Sequence, residues 1–143
     1  MEEGELSPGG HRALRLFFIA AGCGHLIFGI AGTAFPRWFF ATAPPWPPLH
    51  VGQIQIAGVF DLALATGFLV AASDVEAYAG LMLAIGLVAD WGHAAVRLVH
   101  MALGDNPRAD WPGPVAMLLI GAVCLIAGVP RWVRRGRPRP SLR

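Results

Sequence analysis

The sequence contains no lysine. All eleven basic residues are arginines, and six of them lie at or beyond Arg131. The formal net charge is only +2, so the basic character belongs to one tail and not to a broad surface fit for a nucleic-acid backbone. No zinc finger, helix-turn-helix or RNA-binding signature accompanies it, which sets nucleic acid aside as a partner. Charge is scarce altogether. Asp, Glu, Lys and Arg make up 14% of the 143 residues, against about 25% in an ordinary soluble domain. Cysteine is almost absent: Cys23 and Cys124 stand in separate apolar stretches, a spacing that gives neither a metal knuckle nor a CxxC redox pair and reads as two buried small hydrophobes. The chain also lacks a P-loop, a nucleotide-binding glycine fingerprint, a GxSxG elbow, an HExxH motif and a CxxCH haem site, so motifs assign no cofactor.

What the chain has is apolar surface. Hydrophobic residues make up 55% of it, and its mean hydropathy is +0.55. They gather in four segments, residues 14–35, 51–72, 78–101 and 114–133, each near the roughly 20 residues that cross about 30 Å of hydrocarbon. These runs are too long and too rich in Ala and Leu for strands of a transmembrane barrel. A soluble fold could bury four such helices centrally only with amphipathic helices to cover them, and the chain has none to spare. The predicted fold is all-α, an integral membrane four-helix bundle over residues 14–133, with a short N-terminal tail (1–13) and a basic C-terminal tail (134–143). The opening stretch MEEGELSPGG does not resemble a secretory n-region, so the first segment is expected to be an uncleaved helix.

The connections fit this division. Residues 36–50 include Pro44, Pro45, Pro47 and Pro48 and cannot be regular helix throughout. Trp38, Phe39, Phe40 and Trp46 in that stretch suit the headgroup level. Residues 72–76 form a short polar turn, and the breaker-rich run after Asp105 carries Trp111. An even number of crossings puts both termini on one side. That side holds Arg12, Arg15, Arg131, Arg134, Arg135, Arg137, Arg139 and Arg143, against Arg37 and Arg108 on the other. The imbalance predicts a multi-pass protein of a plasma membrane or cell inner membrane with cytoplasmic termini. The tail reads as a solvated topological signal able to touch anionic headgroups.

The polar residues inside the segments carry the functional signal. Asp90, His93, Arg97 and His100 are spaced three, four and three apart, within an arc of about 80° at roughly 100° per residue. Lipid contact would be costly for that face, so it is expected to point into the bundle. Asp61 stands mid-way along the second segment, with His50 on its side and Gln53 nearby. His25 stands mid-way along the first, sharing a face with Gly29 and Gly32 that permits close helix approach, and Gly22 and Gly24 read as helix-packing residues too. The fourth segment holds no charge between Pro114 and Pro130 and reads as a wall.

Three uses of these groups compete. The first is a structural or accessory subunit with a buried polar network, Arg97 compensating Asp61 or Asp90. The second is a membrane-embedded enzyme or binding protein for a lipid, isoprenoid or quinone-like ligand. In that reading Asp90, His93 and Asp61 are the catalytic candidates for acid–base work, and His25, His50, Gln53, Arg97 and His100 bind the ligand. The third is a proton or small-solute carrier, which four helices would build as an oligomer. His25, Asp61, Asp90 and His93 would make a reasonable donor set for zinc or iron, but the cation Arg97 beside them opposes a metal, and no metal site is assigned. Expected partners are membrane lipids, a second copy or another membrane protein, and a hydrophobic small molecule.

The texture of residues 12–130 resembles the DoxX-like group of small bacterial four-helix membrane proteins. The resemblance rests on Arg12-Ala13-Leu14-Arg15 before a glycine-rich helix (GCGHLIFG, 22–29), the aromatic stretch FPRWFF (35–40), and GVFDLALATG (58–67) in the second helix. It implies an integral four-helix fold, some members being linked with respiratory or redox-associated membrane complexes. It carries no catalytic residue onto these positions.

Overall fold

A computed structural model describes residues 8–42, 50–104 and 112–135. These form five helices: α1 (Pro8–Ala34), α2 (Pro36–Thr42), α3 (Val51–Ser73), α4 (Val75–Ala102) and α5 (Pro112–Arg135). All but α2 are long and apolar enough to cross a membrane. The fold is therefore all-α with four membrane-spanning helices. The proline run at 44–48 with Trp46, the turn with Arg108 and Trp111, the first seven residues and the arginines beyond Arg135 lie outside the described residues.

Local chemistry sets the ends. α1 begins at Pro8, earlier than hydropathy alone indicates, because proline's fixed φ and missing N–H are tolerated in a first helical turn. Pro36 ends α1 at the residue before Phe35 and starts α2 in the same way. A single residue, Asp74, separates α3 from α4. Its backbone leaves the helical region (φ −140°, ψ 88°), its N–H donates to Val70 O at 3.4 Å, and its side chain accepts from Ala77 N–H at 3.0 Å. That carboxylate caps α4 and moves its start back to Val75. α4 ends at Ala102, and Gly104 two residues on has a φ of +102°, the left-handed region that glycine adopts without strain.

The long helices pack as two antiparallel pairs. α1 and α3 meet through small residues. A methyl group added at Gly58 would lie 2.7 Å from Thr33 N and 3.0 Å from Gly29 O, so the two backbones touch. Gly32 faces Gly58 in turn, and Gln55 Nε2 donates to Thr33 O at 3.3 Å. Such close approach replaces the hydrophobic drive that lipid cannot supply. α4 and α5 are joined by indoles. Trp91 Nε1 donates to Leu118 O at 3.2 Å across Gly121, and Trp132 Nε1 donates to Gly80 O at 2.8 Å.

The pairs join at the end holding the start of α1 and the end of α5. There Leu14, Phe18 and Ala21 pack on Phe68, Ala71 and Ala72 of α3, on Val75, Ala79, Met82 and Leu83 of α4, and on Cys124 of α5. His11 of α1 meets Glu76 of α4 at 3.0 Å at the same end. α4 is the central helix, with 39% of its apolar span buried against 22% for each of the others. Large apolar side chains on every long helix face outward, including Ile27, Phe60, Val88, Leu119 and Ile126. Only a hydrocarbon solvent accommodates that much apolar surface, which makes this a multi-pass membrane protein in contact with lipid.

Candidate functional site: a polar centre between the helix pairs

The inner stripe of α1 runs Leu14, Phe18, Gly22, His25, Gly29 and Gly32, one residue per helical turn. His25 is thereby turned toward α3, and the glycines bring α3 close enough for its short side chains to reach. His25 Nδ1 bonds Asp61 Oδ1 at 2.8 Å, with the two side chains 15% and 30% exposed. Phe68, two turns further along α3 from Asp61, stacks on the imidazole at 5.6 Å between centroids and 12° between planes. Asp61 and Phe68 therefore hold the ring in position and in orientation.

α4 contributes Asp90, only 4% exposed and the one buried charged residue among those described. It interacts electrostatically with His25, Asp61 and Cys124. One turn before it, Gly86 lets α3 and α5 come in together. A methyl group there would lie 2.9 Å from Phe68 Cζ and 3.1 Å from Cys124 Sγ. The centre thus draws a polar or polarisable side chain from each long helix. Its hydrogen bonding is incomplete: His25 Nε2 and Asp90 Oδ2 are both buried without a partner among the described residues. Buried polar atoms in this condition are rare and mark a bound water, a ligand or a chemical role.

The remaining candidates lie elsewhere. The face expected to turn inward as a unit is divided. The buried stripe of α4 runs Leu83, Gly86, Asp90, Ala94 and Met101, and Arg97 on that stripe is half-buried. His93 and His100 sit about 60° and 80° round the helix from Asp90 and are exposed. Arg97 Nε donates to His93 Nε2 at 3.2 Å, while the partner of Asp61 is His25, so the expected compensation of Asp61 by Arg97 gives way to a histidine bond. His50 and Gln53, at the start of α3, are exposed. With His93 outside, the donor set His25, Asp61, Asp90 and His93 does not assemble, and among the described residues no three such groups could hold a metal ion.

Two further expectations change. Cys124 is buried, but Cys23 is exposed, since it lies about 140° round α1 from Phe18. Gly24 meets nothing within 4 Å and packs no helix. Sequence reasoning also missed Phe68 and Cys124 as members of the centre. Phe68 was accessible to it, being seven residues after Asp61 and on the same face. Nothing in the sequence pointed Cys124 at Asp90. No family model, curated protein or solved structure matches the chain, so the use of the centre is argued from its own chemistry.

Proposed function

We propose that this protein is a structural or accessory subunit of a membrane assembly, its bundle organised by the polar centre. The observation that carries this reading is the 2.8 Å bond between His25 and Asp61 across the glycine-lined contact of α1 with α3. A bond of that kind fixes the register of two helices in lipid, where apolar contact alone is undirected. A DoxX-like kinship, suggested by the texture of residues 12–130 alone, would fit the same reading. A double-mutant cycle of His25→Phe and Asp61→Leu, read as unfolding in mild detergent, is expected to give a coupling of about 0.6–1.7 kcal/mol. The same variants should lose any membrane protein that co-purifies with the wild type. Additive effects, together with a wild type that purifies with no other chain, would sink the reading.

The unpartnered His25 Nε2 and Asp90 Oδ2 favour a second reading, in which the centre binds a lipid, isoprenoid or quinone-like molecule. Purification in mild detergent followed by mass analysis of the bound lipid fraction tests it, the expected result being an apolar molecule retained by the wild type and lost from Asp90→Leu.

We further place both termini in the cytoplasm, on the arginine imbalance between the two ends of the bundle. Single cysteines at Thr42 and Asn106, in a background free of Cys23 and Cys124, should react with impermeant reagents from outside. Labelling from the cytoplasmic side at either position overturns this orientation.

A further inference from the structure

We propose that the gap between α1 and α5, at the arginine-rich end of the bundle, binds one anionic phospholipid, with an acyl chain in the gap and the phosphate at Arg131. The two helices belong to different pairs and flank one another with their backbones apart. Between them runs a groove of about 280 Å³. The buried Leu14 and half-buried Phe17 form its floor. Gly10 and Ala13 of α1 and Ala127 of α5 line it and are too small to close it, and Arg131 stands at its mouth. From Arg131 to Val123 it follows α5 for about 12 Å, at 1.5 Å per residue. The apolar span of α1 begins at Gly9 and that of α5 finishes at Trp132. Gly10 and Arg131 are therefore at headgroup level, and Phe17 and Val123 are in hydrocarbon. At the deep end Phe17 leans edge-on against Phe68, 6.2 Å between ring centroids. The site is separate from the polar centre and independent of both readings of it.

Shape and charge define the occupant. The apolar floor offers a water no partners, so a groove open to the bilayer is filled by an alkyl chain. An arginine at the end of a membrane span ordinarily reaches out to the interface. Arg131 instead folds back: its Nη1 donates to Ala127 O, one turn earlier, which lays the side chain along the groove wall. A guanidinium has five N–H donors in a planar fork, so it can serve a main-chain carbonyl and phosphate oxygens together. No acidic side chain lines the groove. Glu76, at the same end, is bonded to His11, which lies about 100° round α1 from Gly10. Five more arginines follow Arg131 in the sequence, so this end draws anionic lipid in general, and Arg131 gives one such lipid a defined place. A zwitterionic head brings its own cation and is the weaker match.

In the test, the full chain is moved into mild detergent from nanodiscs holding equal amounts of phosphatidylglycerol and phosphatidylcholine with the same acyl chains. It is then weighed intact with its bound lipid. One phosphatidylglycerol per chain is expected to remain. Arg131→Gln should lower its retention relative to phosphatidylcholine about fivefold, the effect of one basic residue at an anionic surface. Ala13→Phe leaves every charge in place but fills the groove from an exposed position, and should lower retention at least as far. Ala20→Phe, exposed on α1 outside the groove, should not. On the wild type, phosphatidylglycerol with a photoreactive group in its acyl chain should attach within residues 10–17 and 123–131. Equal retention of the two lipids overturns the proposal. So does a preference that survives Ala13→Phe and falls only when Arg137, Arg139 and Arg143 become Gln, which assigns it to the tail. Where a variant fails to fold, the wild-type attachment decides alone, and attachment spread over outward residues such as Ile27, Phe60 and Leu119 overturns the site.

Discussion

Gly58 is the position in the α1–α3 contact at which an added methyl group would meet backbone atoms alone at 3.0 Å or less. A Cβ there would meet Thr33 N at 2.7 Å, Gly29 O at 3.0 Å and Gly32 C at 3.0 Å, all of them backbone atoms that cannot rotate away. In Gly58→Ala the helices must separate until those contacts reach about 3.5 Å, and dispersion along the seam weakens as they do. Overpacking of this kind costs about 1–3 kcal/mol. Asp61 lies one turn from Gly58, so the separation also strains the 2.8 Å bond to His25, with about 0.5–1.5 kcal/mol at risk. Alanine returns about 0.5–1 kcal/mol through its better helix propensity. The net expectation is a loss of about 1–3 kcal/mol. Gly24 supplies the control on α1, because a methyl group there meets nothing within 4 Å, and Gly24→Ala should be neutral or slightly stabilising. Thermal or denaturant unfolding of both variants in one detergent measures the difference. Equal stability of Gly58→Ala and Gly24→Ala would refute the backbone contact, and with it the argument that α1 and α3 form the closest pair.

Asp74→Ala removes the carboxylate that caps α4 at the one-residue corner and should cost about 1 kcal/mol in the same unfolding assay, with Asp74→Asn losing less. Trp132→Phe withdraws the outer indole edge from Gly128 and deletes the 2.8 Å indole bond to Gly80 O, leaving that carbonyl with less compensation in an apolar setting. A loss of about 1 kcal/mol is expected, and a variant as stable as the wild type would show that the bond contributes nothing to the α4–α5 pair.

The spanning helices could be read from the sequence because the bilayer imposes a length, and the apolar runs meet it without reference to neighbours. The face shared by His25, Gly29 and Gly32 could be read for a similar reason: it is a property of one helix's period, and it is where α3 docks. Pairing across helices is a different quantity. The sequence offers Arg97 to Asp61, and only the antiparallel register of α1 on α3 brings His25 to it instead. The buried arc of α4 is narrower than the spacing of its polar residues suggests. Spacing placed His93 and His100 with Asp90, but Gly86, Ala94 and Met101 define a narrower buried stripe, and residues about 60° from it already leave the interior. Cys23 was misplaced because composition reports that a residue suits an apolar environment, and in a membrane protein the outside is apolar too. Gly24 was misread likewise, since a glycine in a glycine-rich helix need not be at the contact.

The position of the polar centre follows from how the two pairs are held. Within each pair the fastenings are local: backbone contact and a histidine–aspartate bond in α1–α3, and indole bonds in α4–α5. Between the pairs there are the Asp74 corner, the His11–Glu76 contact and the apolar core, all at the end where the described chain begins and finishes. Apolar packing in lipid competes with lipid tails that are equally apolar, so it fixes the relation between the pairs only through fit. A polar group is different, because its alternative in hydrocarbon is to go unsatisfied. Asp90 stands on one pair and the His25–Asp61 bond on the other, so their mutual position responds to any shift of pair against pair. Asp90 and the His25–Asp61 bond are thus, with the His11–Glu76 contact, the polar groups that register how the two halves sit together. The bond within α1–α3 is complete, whereas His25 Nε2 and Asp90 Oδ2 lack partners among the described residues, and that incompleteness between the pairs is what the second reading fills with a bound molecule.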